Sequence, residues 1–168
     1  MILYHGTNVD IKAINLALCR PYKDFGKGFY TTELSEQAQK MAARVARIYG
    51  GNPVVNIYEI ADDFINDDNL SVKSFGKIPS AEWAKFVMNN RSRYFTDFSS
   101  IECNLDCKYD IVCGPVADDD MAMLFRQYQG NLISFETLVN GMTFKEVTSQ
   151  YSFHTEKSVN LLRKVGVL

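Results

Sequence analysis

Apolar residues recur at helical spacing over Leu34, Ala38, Met41, Ala42, Val45 and Ile48, and Gly50-Gly51 stops the run. This pattern predicts a helix, with Ser35 as its N-cap and Glu36 in its first turn. Upstream, MILYH (1–5) reads as a short buried strand ending in Gly-Thr, and GFYTT (28–32) as a second strand. PVVNIYEI (53–60) alternates and predicts a third, and Leu70 to Phe75 a short fourth. Ser80 caps a predicted helix carrying Trp83, Phe86 and Val87, and the segment 91–107 is loop-rich. YDIVCGPVA (109–117) is a buried strand, and Asp118-Asp119-Asp120 suits the start of a helix running through Met123, Leu124 and Tyr128 to Gly130. SFETLVNGM predicts a shorter helix closed by Asn140-Gly141. TSQYSFHT is a last strand, and Thr155 caps a C-terminal helix through Val159, Leu162 and Val165. Short strands interspersed with helices favour an α+β domain over a regular βαβ wind.

Length and composition narrow the function classes. One domain spanning residues 1–168 is expected from 168 residues, 46% of them apolar and 23% charged. The net charge of −2 gives no whole-protein attraction to nucleic acid or anionic membrane. No apolar run approaches the roughly 20 residues of a membrane span, and MILYHGTNVD lacks the basic start of a signal peptide. A cytoplasmic location is expected. Four cysteines without a C-x-x-C pair, beside only two histidines, argue against a zinc site, and no metal is expected. Cys113 reads as a small buried hydrophobe.

The stretch DFGKGFYTT (24–32) carries the candidate chemistry. It is not a phosphate loop, because GKG precedes a strand and Lys27 is followed by glycine. Nor is it a dinucleotide fingerprint, because Thr31 stands where the third glycine belongs. Taken locally, it is a glycine-rich turn entering a strand.

Taken with Tyr4-His5-Gly6-Thr7 and the late strand from Gln150, the layout resembles the ADP-ribosyltransferase superfamily, in its poly(ADP-ribose) polymerase-like and diphtheria-toxin-like branch. In that family a His-Gly-[Ser/Thr] strand, a Gly-x-Gly-x-Tyr strand and a late strand with a polar residue build an NAD⁺ pocket. The likeness runs through nearly the whole chain in order, and is strongest to small bacterial members with the same R-P-x-x-D-F-G-K-G-F-Y-T-T stretch and a later G-P-V-A-D-D. It implies a split β-sheet core flanked by helices.

The resemblance implies His5, Tyr30 and Gln150 as catalytic residues. It implies cofactor contacts from His5, Gly6 and Thr7, from Arg20 and Asp24, and from Gly26, Lys27, Gly28, Phe29 and Tyr30. Gly6 can present a backbone N–H and C=O pair to the nicotinamide carboxamide without a Cβ in the way. Tyr30 can stack on the ring. His5 can hydrogen-bond the adenosine-side ribose. Glycines 26 and 28 would keep the backbone slim beside the nucleotide, with Lys27 and Arg20 near the pyrophosphate. Cleavage of the ribose–nicotinamide bond passes through an oxocarbenium-like transition state. Family members usually place a glutamate where this chain has Gln150. Glutamine keeps a hydrogen bond and loses the charge, a loss of about 2–4 kcal/mol for an electrostatic stabiliser. This departure favours transfer of single units or weak hydrolysis over chain building.

The implied activity is NAD-dependent ADP-ribosylation of a protein or nucleic-acid acceptor. A toxin role with a neutralising antitoxin partner is a further implication. A catalytically inactive NAD or ADP-ribose binding module is the alternative that Gln150 keeps open. A 2′-phosphotransferase on RNA ranks below both, given the charge and the histidine count. Each residue also has a plainer reading. His5 can be a core histidine at a strand end, Tyr30 a core aromatic, Gln150 a strand-edge cap, and Arg20 with Asp24 a surface ion pair. His154 reads as a half-buried packing residue, and Asn89-Asn90-Arg91 as a helix C-terminus with a favourable cation.

Overall fold

The computed structural model describes residues 1–143 and 147–168. Its strands are β1 (Ile2–Thr7), β2 (Phe29–Thr31), β3 (Val54–Glu59), β4 (Val72–Ser74), β5 (Ile111–Pro115), β6 (Ser149–Phe153) and β7 (Arg163–Val167). Its α-helices are α1 (Ser35–Tyr49), α2 (Ala81–Arg91), α3 (Asp119–Gln129), α4 (Phe135–Thr143) and α5 (Glu156–Val159). The fold is mixed α+β, with two sheets. One has the order β1-β3-β7 and the other β2-β6-β5-β4. Neighbours pair antiparallel except for β4 and β5, which are parallel. The sheets touch where β1 meets the outer edge of β2: Tyr4 N donates to Thr32 O at 2.8 Å, and Thr32 N to Tyr4 O at 3.0 Å.

Alternation along β2, β5 and β6 sends side chains to opposite faces. Phe29, Ile111 and Phe153 join Leu3 and Tyr58 in one core. Val112 and Tyr30 pack on the other face, in a core with Phe25, Trp83, Phe86 and Met121. Burying a side chain such as Leu3 or Phe153 contributes about 1.5–3 kcal/mol, and both are fully buried. Ser80 caps α2 as predicted, accepting from Trp83 N, and the acidic run expected at the start of α3 supplies its cap as well: Asp118 accepts from Met121 N. Thr155 and Ser158 form a reciprocal capping box on α5.

Several expectations are corrected. The N-cap of α1 is Leu34, without a side-chain cap bond, and Ser35 is the first helical residue. The buried face of α1 is Ala38, Ala42 and Ala46, whereas Leu34, Met41 and Ile48 are exposed. The cause is proximity: a Cβ at Gly6 would stand 1.9 Å from Ala38 O and 2.8 Å from Ala42 N. A helix this close to a strand accepts only small residues between them. Helix α4 continues through Asn140-Gly141 to Thr143. Gly141 serves a close approach, its missing Cβ lying 3.3 Å from the methyls of Leu124 on α3. The C-terminal helix is a single turn, and Arg163–Val167 is strand β7, which pairs with β3.

Candidate functional site

The two glycine-containing motifs meet at the β1–β2 contact. His5 Nδ1 lies 2.7 Å from the backbone oxygen of Tyr30. A carbonyl only accepts, so Nδ1 carries the proton. Burial lowers the pKa of His5, more than the Tyr30 bond raises it. The neutral ring therefore presents an Nε2 lone pair. The ring stacks on Phe29 with centroids 4.3 Å apart. Thr7 ends β1 opposite Val54.

Tyr30 and Gln150 project from the other face of the four-stranded sheet. Tyr30 pairs with Ser152, two residues from Gln150 on β6, and period-two alternation puts all three on one side. Both side chains reach the loop before β2. Tyr30 Oη donates to Gly26 O at 2.7 Å and accepts from Phe25 N at 3.0 Å. Its ring lies parallel to Phe25 and edge-on to His154. Burial, then the Asp24 charge, raises the Tyr30 pKa far above its usual value, so the phenol stays protonated. Gln150 Nε2 donates to Asp24 Oδ2 at 2.7 Å and to Pro115 O at 3.3 Å.

Asp24 is the hub of this face. Its buried carboxylate pairs with Arg91, at 2.6 Å from Nη2 and 2.9 Å from Nε, and accepts from Ala117 N at 3.0 Å. Arg91 also donates to Ala117 O at 2.9 Å. These bonds join the loop before β2, the end of α2, the β5–α3 turn and the start of β6. Sequence reasoning misses this role of Arg91, which it sees only as a helix-end cation. An arginine at the last turn of a helix otherwise rich in buried residues is the available signal.

The remaining predicted contacts fall differently. Arg20 does not pair with Asp24; its Nη1 donates to Tyr49 Oη at 2.7 Å, and its guanidinium lies over that ring. The space beside the glycines is taken by the protein itself. A Cβ at Gly28 would stand 2.7 Å from His154 Nδ1, and one at Gly26, where φ is +90°, 2.9 Å from Asn104 O. With Gly6 against α1, these three glycines serve internal packing, which corrects the expectation that they leave room for a nucleotide. Phe29 is buried in the core under His5, and the side chain of Lys27 is exposed.

His154 is buried and bonded rather than half-buried. Its Nδ1 donates to Lys27 O at 2.8 Å, and Nε2 lies 2.7 Å from Ser152 Oγ. Burial lowers its pKa to about 4. The neutral ring therefore accepts the Ser152 proton at Nε2. This histidine explains Gly28 and tethers the GKG turn to the end of β6.

Cavities of about 270 Å³ open elsewhere, one beside Phe64 and Leu161, another beside Met88 and Tyr128. None of His5, Tyr30 and Gln150 lines either of them. Among the described residues no helix is long and apolar enough to cross a membrane.

No curated protein and no solved structure matches the chain. A family model described as "Protein of unknown function (DUF3990)" matches residues 1–163, and the chain belongs to that family.

Proposed function

We propose that this protein is an NAD-dependent ADP-ribosyltransferase built on a split-sheet core, with its cofactor site along the outer edge of β2. The observation that carries this reading is the 2.7 Å contact between His5 and the backbone of Tyr30. It joins the His-Gly-Thr strand to the Gly-Lys-Gly-Phe-Tyr strand at one edge. The cofactor wraps this edge: the neutral His5 Nε2 accepts from a ribose hydroxyl on one face, and on the other Tyr30 offers a half-buried ring for the nicotinamide and Gln150 faces the reacting ribose. Positioning and charge stabilisation then lower the barrier to an oxocarbenium-like state. The acceptor is a macromolecule, and a toxin held in check by a partner protein suits such an activity.

The test is incubation of the purified chain with NAD⁺ labelled in its adenylate phosphate, with and without cell lysate. Label transfer or nicotinamide release is expected, with at least a hundredfold loss on His5→Ala. A folded wild-type chain that does neither overturns transfer. A second reading, an NAD or ADP-ribose binding module without turnover, is favoured by the neutral amide at Gln150. Calorimetric binding of NAD⁺ without product selects it.

A further inference from the structure

The orientation of the Gln150 amide follows from its surroundings. Two acceptors, Asp24 Oδ2 at 2.7 Å and Pro115 O at 3.3 Å, face its nitrogen. A carboxylate and a carbonyl offer no proton, so the opposite orientation would set oxygen against oxygen twice. The Gln150 carbonyl oxygen must therefore turn away from Asp24. Asp24 is held in turn by Arg91 and by Ala117 N, which leave its carboxylate little freedom to rotate. A full negative charge thus stands directly behind a neutral amide of fixed direction.

We propose that Asp24 is a positioning residue that makes Gln150 a one-way hydrogen-bond acceptor, and that it places behind this amide the negative charge that glutamine itself lacks. The ligand group it suits is a hydroxyl donor beside a developing positive charge, such as the ribose of a nicotinamide nucleotide. This ligand assignment rests on the function proposed above; the pairing of Asp24 with Gln150 does not. One consequence runs against intuition: Gln150→Glu alone sets two carboxylates face to face and impairs the protein. It becomes acceptable once Asp24 is replaced by an amide.

A cycle of wild type, Asp24→Asn, Gln150→Glu and the double variant tests this by thermal melting at neutral pH, together with nicotinamide release from NAD⁺. Gln150→Glu is expected to lower the melting temperature by about 5 °C or more in the wild-type background and far less in the Asp24→Asn background. An equal cost in both backgrounds overturns the pairing, whether or not the wild type turns over. Coupled melting with no nicotinamide release from any form overturns ADP-ribosyl transfer and leaves the pairing standing. Where the wild type is active, each single variant is expected to lose at least tenfold in kcat and the double variant to recover most of it. Coupled melting without that recovery overturns the orienting role. If Asp24→Asn does not fold, Gln150→Ala replaces it in the comparison. The pairing then requires Gln150→Glu to be less stable than Gln150→Ala, and it falls if Gln150→Glu is as stable as the wild type.

Discussion

The backbone oxygen of Ala38 stands 1.9 Å from where a side chain at Gly6 would begin. Helix α1 therefore rests directly on β1, and this contact sets the height of the whole β1–β2 edge on which His5 sits. Gly6→Ala cannot be absorbed by a side-chain rotation, because the obstructing atoms are backbone. A loss of stability at or beyond the roughly 3 kcal/mol upper end of ordinary overpacking costs is expected. Urea unfolding measures it, and a loss below about 1 kcal/mol, the lower end of that range, would contradict the close approach.

Gly28 and His154 form a second such pair, but here the neighbour is a ring, 2.7 Å from the missing Cβ. Gly28→Ala is expected to cost about 1–3 kcal/mol. Part of that cost should vanish in a His154→Ala background, since the ring atoms are gone while the backbone oxygen of Phe153, 2.9 Å from the same point, remains. Additive costs in a double-mutant cycle would show that the two do not share the space.

The buried histidines make stability depend on pH. His154 titrates at about 4 in the folded chain, against 6.5 for an ordinary histidine. Between these values the unfolded chain binds the proton and the folded chain does not. Its stabilising contribution is thus complete above pH 6.5 and is lost as the pH falls towards 4. The size is about 3 kcal/mol, from about 1.4 kcal/mol for each pH unit between the two pKa values. His5 is lowered too, and its contribution has the same sign. Melting temperature should fall from about pH 7 to about pH 4, and His154→Gln should flatten that slope. An unchanged slope would remove His154 as its origin.

Removing Arg91 leaves the Asp24 carboxylate buried with only neutral donors, Ala117 N and Gln150 Nε2. Arg91→Met is expected to destabilise the protein by about 3 kcal/mol. Arg91→Lys should restore only part of it, because an ammonium cannot supply Nε and Nη2 together to one side while also reaching Ala117 O. Full rescue by Arg91→Lys in denaturant unfolding would mean that charge alone, not the forked geometry, holds Asp24.

Local chemistry determined much of what the chain does. Periodicity placed α1 and α2, the Ser80 and Thr155 side chains make the caps expected of them, the acidic run at Asp118 begins α3, and short buried, β-prone or alternating runs mark six of the strands. These features are settled by neighbours within a few residues, so they are written in a few residues. Arg163–Val167 reads as helix because its apolar positions suit either period, and only the open edge of β3 decided for a strand. Tertiary structure also decided which face of α1 is buried, since the nearness of β1 admits alanine and excludes the larger residues of the same helix. The same holds at the candidate site. His5, Tyr30 and Gln150 could be named from their motifs, but the partners that hold them could not. Asp24 meets Arg91 across 67 residues and Gln150 across 126. A pairing over that distance leaves no local pattern, because it is selected by how two sheets and a helix end pack together and not by the spacing of residues along the chain.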